Sequence, residues 1–65
     1  MRKRHVFEAV AFDGEGVKLR HGFLTMDGAR HWSEVQMEHG ATRVTVDRFE
    51  VTGGTRVYDQ RAGNW

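Results

Sequence analysis

The 65 residues contain no cysteine, no proline and no isoleucine, serine occurs once, and the most apolar stretch, residues 6–12, is interrupted by Glu8. Without cysteine there is no disulfide, no thiolate zinc site and no thiol nucleophile. An apolar stretch of about seven residues with a glutamate inside it is neither a membrane span nor a secretory signal, so a cytoplasmic location is expected. A charge excess is also missing: ten Lys+Arg stand against nine Asp+Glu, for a formal net charge of +1. Proteins that live on the phosphate backbone usually carry a clear positive excess, so bulk charge argues against a dedicated DNA binder. What remains is 38% apolar, 29% charged and 11% aromatic, too apolar for disorder and too charged for a membrane. The expectation is one small globular domain over 1–65, whose core is thin because a chain this short removes only about 60% of its unfolded surface on folding.

Residues 6–12 alternate, with Val6, Val10 and Phe12 on one side and Phe7, Ala9 and Ala11 on the other, which is the period of a strand. Asp13-Gly14-Glu15-Gly16 is a turn signal, and Val17, Leu19 and Phe23 alternate after it. Pairing Phe12 with Val17 sets Val10 against Leu19, Glu8 against His21 and Val6 against Phe23, gathering the large apolar side chains on one face. The first strand is apolar on both sides and the second is not, so the first belongs inside a sheet and the second at its edge.

Between residues 25 and 40 the spacing changes. Ala29, Trp32, Val35 and Gln36 recur at three and four residues, Thr25 or Asp27 offers an N-cap, and Gly40 follows, which predicts a helix over 29–39 with Trp32 as its core anchor. A hairpin through Asp27-Gly28 is the competing reading. Strand signals return at residues 42–46 and 49–51, with the apolar parity shifting across Asp47-Arg48, where a bulge would keep both pairs on the core face. Gly53-Gly54 suits a two-residue turn that aligns Val51 with Arg56, Phe49 with Tyr58 and Arg48 with Asp59. The result is an α+β fold, ββαββ, with an antiparallel sheet in the order 2-1-3-4 and one helix on one face. Residues 1–5 then form a basic N-terminal tail and residues 60–65 a patternless C-terminal one.

Phe7-Glu8-Ala9, Asp13-Gly14-Glu15-Gly16, Thr25, Ala29, Trp32, Gly40 and Val44-Thr45-Val46 together resemble small actinobacterial and actinophage proteins of the ββαβ type. More loosely they resemble the small coliphage inhibitors of host RNA polymerase. Arginine outnumbers lysine eight to two, a usage that fits a GC-rich coding sequence. The resemblance implies a phage-style inhibitor or accessory binding protein and carries no particular contact residue with it.

Catalytic and metal signatures are sparse. The four histidines include no pair at helical i,i+4 spacing, so neither a metal nor any other cofactor is expected. Glu8 opposite His21 could make an acid–base dyad, but Ser33 is the only serine and no glycine-rich phosphate loop follows a strand. A non-enzymatic binding module is therefore expected, with its site on the sheet face away from the helix. In the derived register that face shows Phe7, Ala9 and Ala11 in the middle, Lys18 and Arg20 on one side, and Arg43, Thr45 and Asp47 on the other. An apolar centre with a charged rim suits docking on a larger protein assembly or a homodimer. The alternative is a single-stranded nucleic-acid binder using the same face with Arg2, Lys3 and Arg4, which would show two or three central aromatics. If the C-terminal tail covers that face, the binding surface shifts to the outer side of the helix around Arg30, Glu34 and Glu38.

Overall fold

A computed structural model describes residues 4–65. Five elements follow one another: β1 (Arg4–Asp13), β2 (Gly16–Phe23), α1 (Met26–Glu38), β3 (Arg43–Thr52) and β4 (Thr55–Asn64). The strands form one antiparallel sheet in the order β2-β1-β3-β4, with α1 against one face. This is the ββαββ arrangement expected from the residue pattern. Among the described residues no helix is long and apolar enough to cross a membrane. Arg4 and His5, expected in an N-terminal tail, belong to β1, where they pair with Val51 and Glu50 of β3. Arg2 and Lys3 lie outside the described residues.

Local chemistry sets the punctuation. The Asp13 carboxylate accepts from the Glu15 backbone N–H at 2.7 Å, which closes the first turn. Thr25 is the N-cap, its hydroxyl accepting from the Gly28 N–H at 3.2 Å, so Asp27-Gly28 opens a helix rather than turning a hairpin. Gly53 and Gly54 both take positive φ, 58° and 85°, as a two-residue turn between strands of right-handed twist requires.

The pairing differs from expectation in both hairpins, and the difference in the first decides which face the helix covers. Phe12 pairs with Val17 as anticipated, but the next pair is Ala11 with Leu19, so Lys18 is an extra residue in β2. That bulge reverses the remaining facing of β2 relative to β1: His21 meets Ala9 and Phe23 meets Phe7. The helix therefore lies over Phe7, Ala9 and Ala11, not over Val6, Val10 and Phe12. No bulge interrupts β3 against β1; the extra residues sit in β4, at Asp59 and Ala62. Val44 and Val46 consequently face the helix while Phe49 and Val51 face away.

Under the helix, side chains are small. Ala9, Ala11, Ala29, Ser33, Val44 and Val46 are completely buried. Ser33 is tolerated there because its hydroxyl donates to the Ala29 carbonyl one turn back at 2.7 Å. Trp32 packs against both halves of this core, with its ring 6.0 Å from that of Phe23 and 6.1 Å from that of His21. The expected C-terminal tail is instead the second half of β4. Trp65 continues the ladder, its N–H donating to the Val44 carbonyl at 2.8 Å and its carbonyl accepting from the Val44 N–H at 3.0 Å. Its ring joins the core beside Met37, Ala62 and Met26. The two extra residues of β4 break the period-two alternation, which is why residues 60–65 look patternless as sequence.

Gly63 makes room for that ring. A Cβ at this position would stand 2.6 Å from Cζ3 and 2.7 Å from Cη2 of Trp65. Gly63→Ala should cost about 1–3 kcal/mol through overpacking, and Trp65→Ala about 3 kcal/mol or more through the lost core area. A domain of this size holds roughly 3–10 kcal/mol in total, so thermal melts followed by circular dichroism should show both variants shifted down and Trp65→Ala close to unfolded.

Candidate functional site: the uncovered face of the sheet

Opposite the helix, alternation along the strands presents Val6, Glu8, Val10 and Phe12 from β1, Arg20 from β2, Arg43, Thr45, Asp47, Phe49 and Val51 from β3, and Arg56, Tyr58 and Arg61 from β4. Of the residues expected on the open face, Arg20, Arg43, Thr45 and Asp47 are there. Phe7, Ala9 and Ala11 are not, because the Lys18 bulge turns that side of the hairpin toward the helix. Lys18 also belongs to the helix side: its ammonium donates to the His39 carbonyl at 3.2 Å, at the end of α1 where a cation meets the negative pole of the helix.

The face has an apolar spine and a guanidinium roof. Val10, Thr45 and Val51 are buried with no second layer above them, which requires that neighbouring long side chains lie flat across the sheet. Arg43 sits over the Phe12 ring at 4.5 Å from the centroid, and Arg56 over the Phe49 ring at 4.4 Å. Each pair is a cation on the negative face of an aromatic quadrupole, and each guanidinium shields a ring that would otherwise be bare. Tyr58 meets Phe49 edge-on, 5.9 Å between centroids and 83° between planes, an arrangement the same quadrupole favours. Tyr58 stays 55% exposed.

Charge on this face is lopsided. Arg4, Arg20, Arg43, Arg56 and Arg61 stand against Glu8 and Asp47. Arg61 donates through Nε to Asp47 at 2.6 Å, and that hydrogen bond, reinforced by the carboxylate charge, raises the guanidinium above its ordinary value. Arg56 approaches Glu8 less closely, at 3.6 Å. Arg20 and Arg43 have no carboxylate partner among the described residues, so two guanidinium groups remain available to acids from outside. Arg48 and Asp59 form the ion pair anticipated for the second hairpin, at 2.6 Å, with His5 3.8 Å from the same carboxylate oxygen, but Arg48 aligns with Gln60 rather than with Asp59, which is an extra residue of β4.

Where β2 leaves the sheet there is a cleft of about 400 Å³, lined by Val6, Phe23, Leu24 and Val51 together with Arg4 and Arg56. Sequence reasoning missed this feature. Its signal was present in Leu24, a large apolar residue just before the helix N-cap that belongs to no strand pattern. The Glu8–His21 dyad is not assembled, since Glu8 pairs with Gly22 and faces Arg56 while His21 lies on the helix side against Phe23. Among the described residues no three His, Asp or Glu side chains gather as a metal site would require. The outer side of α1 is exposed at Arg30, Glu34 and Glu38, where Arg30 is already paired with Asp27 and no apolar centre exists. Comparison with protein-family models, curated proteins and solved structures returned no match, so the site rests on this chain's own residues.

Because the covered and uncovered faces are reversed from expectation, glutamate at Ala9 cannot be a surface change. Ala9→Glu should unfold the isolated monomer, since it places an unpaired carboxylate under the helix at a cost of about 3 kcal/mol or more. Arg20→Glu should stay within about 0.5 kcal/mol of the parent. Urea titration of the two variants checks the assignment.

Proposed function

We propose that this chain is a non-catalytic binding module that docks the uncovered face of its sheet on a larger protein. The observation that carries the reading is the guanidinium roof, an apolar spine of valines crossed by Arg43 on Phe12 and Arg56 on Phe49. Interfaces are built this way: apolar at the centre, with arginine and aromatic residues enriched and a polar rim. The excess of arginine over carboxylate selects the partner's chemistry, an apolar patch bordered by aspartate and glutamate. With the resemblance noted from the sequence, a phage-type inhibitor or accessory subunit acting in the cytoplasm is the form such a module would take.

Single-stranded nucleic acid is the second reading, and Phe12, Phe49 and Tyr58 favour it, since three aromatics on an open four-stranded sheet can stack bases. Two of those rings, however, already carry a guanidinium over one face, which a stacking base would have to compete with. Protein is therefore preferred.

A photo-reactive phenylalanine analogue at Tyr58, compared with the same analogue at His31 on the outer side of the helix, tests both. Irradiated in lysate of the cells that produce the chain, the Tyr58 probe should form a protein adduct that His31 does not and that Arg43→Glu abolishes. A nuclease-sensitive adduct, with log affinity falling against log salt at a slope near −3 as expected for about four phosphates, would replace this reading with the second. No adduct specific to Tyr58 would overturn both.

A further inference from the structure

We propose that the cleft beside the first residues of β1 receives an extended acidic segment of the partner, which adds to the free edge of β1 as a short antiparallel strand. The inference rests on the open-face reading above and names the element the partner presents. Three independent features meet at this place. On the β2 side, pairing begins only at Phe7 opposite Phe23, so Arg4, His5 and Val6 are bonded to β3 alone. Among the described residues no turn or loop backbone group covers that edge. An unpaired edge is a template for another strand, and three residues at about 3.3 Å each give roughly 10 Å of ladder.

The second feature is apolar. The chain leaves β2 at Phe23 and enters α1 at Met26, and the departure opens the cleft between Val6, Phe23, Leu24 and Val51. Leu24 is 76% exposed, the most exposed large apolar side chain among the described residues. It lines the cleft beside Val6, where it offers apolar surface to a side chain of an added strand. The third feature is charge: Arg4 makes no ion pair among the described residues, Arg56 has only Glu8 at 3.6 Å, and both line the cleft. Two guanidinium groups against one carboxylate call for an acid on the incoming segment. Strand addition supplies main-chain hydrogen bonds for affinity, while pockets that accept alternate side chains supply selectivity. Here the same-face positions take one aliphatic residue toward Val6 and Leu24 and, two residues from it, a carboxylate for Arg4 or Arg56.

A random octapeptide library displayed on beads and screened with the full chain tests this directly. Enriched sequences should carry aspartate or glutamate within two residues of an aliphatic side chain. The most enriched peptide, made synthetically, should shift the amide resonances of residues 4–6, 23 and 24. It should lose at least tenfold in affinity to Leu24→Glu, to Arg4→Glu and to N-methylation of its own central amide, and replacing its acid by lysine should restore binding to Arg4→Glu. Leu24 and Arg4 are exposed, so both variants fold, as circular dichroism will verify. Absence of enrichment, or enriched peptides that shift Val10, Arg20 and Arg43 instead, would overturn the strand-addition inference. The Tyr58 adduct is unaffected by that failure; its loss, with peptide binding at the cleft intact, would overturn the open-face reading instead.

Discussion

The contact on which this structure depends is the seating of one helix on a floor of methyl groups. Ala9 of β1 packs with Ala29 of α1 and Val46 of β3, and Ala11 with Ala41 and Val44, so the fully buried side chains between the layers are no larger than valine. A thin domain cannot fill a wide gap between layers, so it closes the gap by bringing backbones together. Larger side chains, Trp32, Phe23, Met26 and Trp65, then seal the margins of that seam rather than its centre. Trp65 can do so only because Gly63 has no side chain to oppose it.

Once the helix is committed to the alanine side, the opposite face has to remain compatible with water although Val6, Val10, Phe12, Phe49 and Val51 lie on it. Arginine solves this locally. Its long stem covers apolar surface, its planar head rests on an aromatic ring, and its charge remains hydrated. The same roof underlies the proposed interface, because a partner that supplies carboxylates and an apolar patch can take over the contacts that water makes. Charge thus separates across the sheet, with arginine concentrated on the uncovered side and Asp27, Glu34 and Glu38 on the helix.

Much of the architecture was legible in the residues. Alternation, Asp-Gly and Gly-Gly turns and three-to-four spacing around Trp32 determine the elements, their order in the sheet and two registers, Phe12 with Val17 and Phe49 with Tyr58. The facing of the first hairpin was not legible. A bulge inserts one residue without any required residue type, and Lys18 looks like any solvent-side lysine in a strand. Matching large apolar residues across the hairpin then favoured the Val10–Phe12 side as the core, whereas close helix packing selects alanine. Of the residues expected on the open face, Arg20, Arg43, Thr45 and Asp47 therefore lie there, whereas Phe7, Ala9, Ala11 and Lys18 lie on the helix side. Leu24 and the cleft escaped because they arise where β2 ends short of β1, a length difference that no local pattern encodes.

The central claim is that the alanine side of β1 is closed and the arginine side open, and the chain's lack of cysteine makes it directly measurable. Single cysteines placed at Ala11 and at Arg43, each in an otherwise unchanged chain, can be timed against a thiol-reactive dye under native conditions. The account predicts that Arg43→Cys reacts at nearly the rate of a free thiol, while Ala11→Cys is protected at least a hundredfold and reacts only as fast as the domain unfolds. Rapid labelling at Ala11 with protection at Arg43 would contradict it and return the helix to the other face of the sheet.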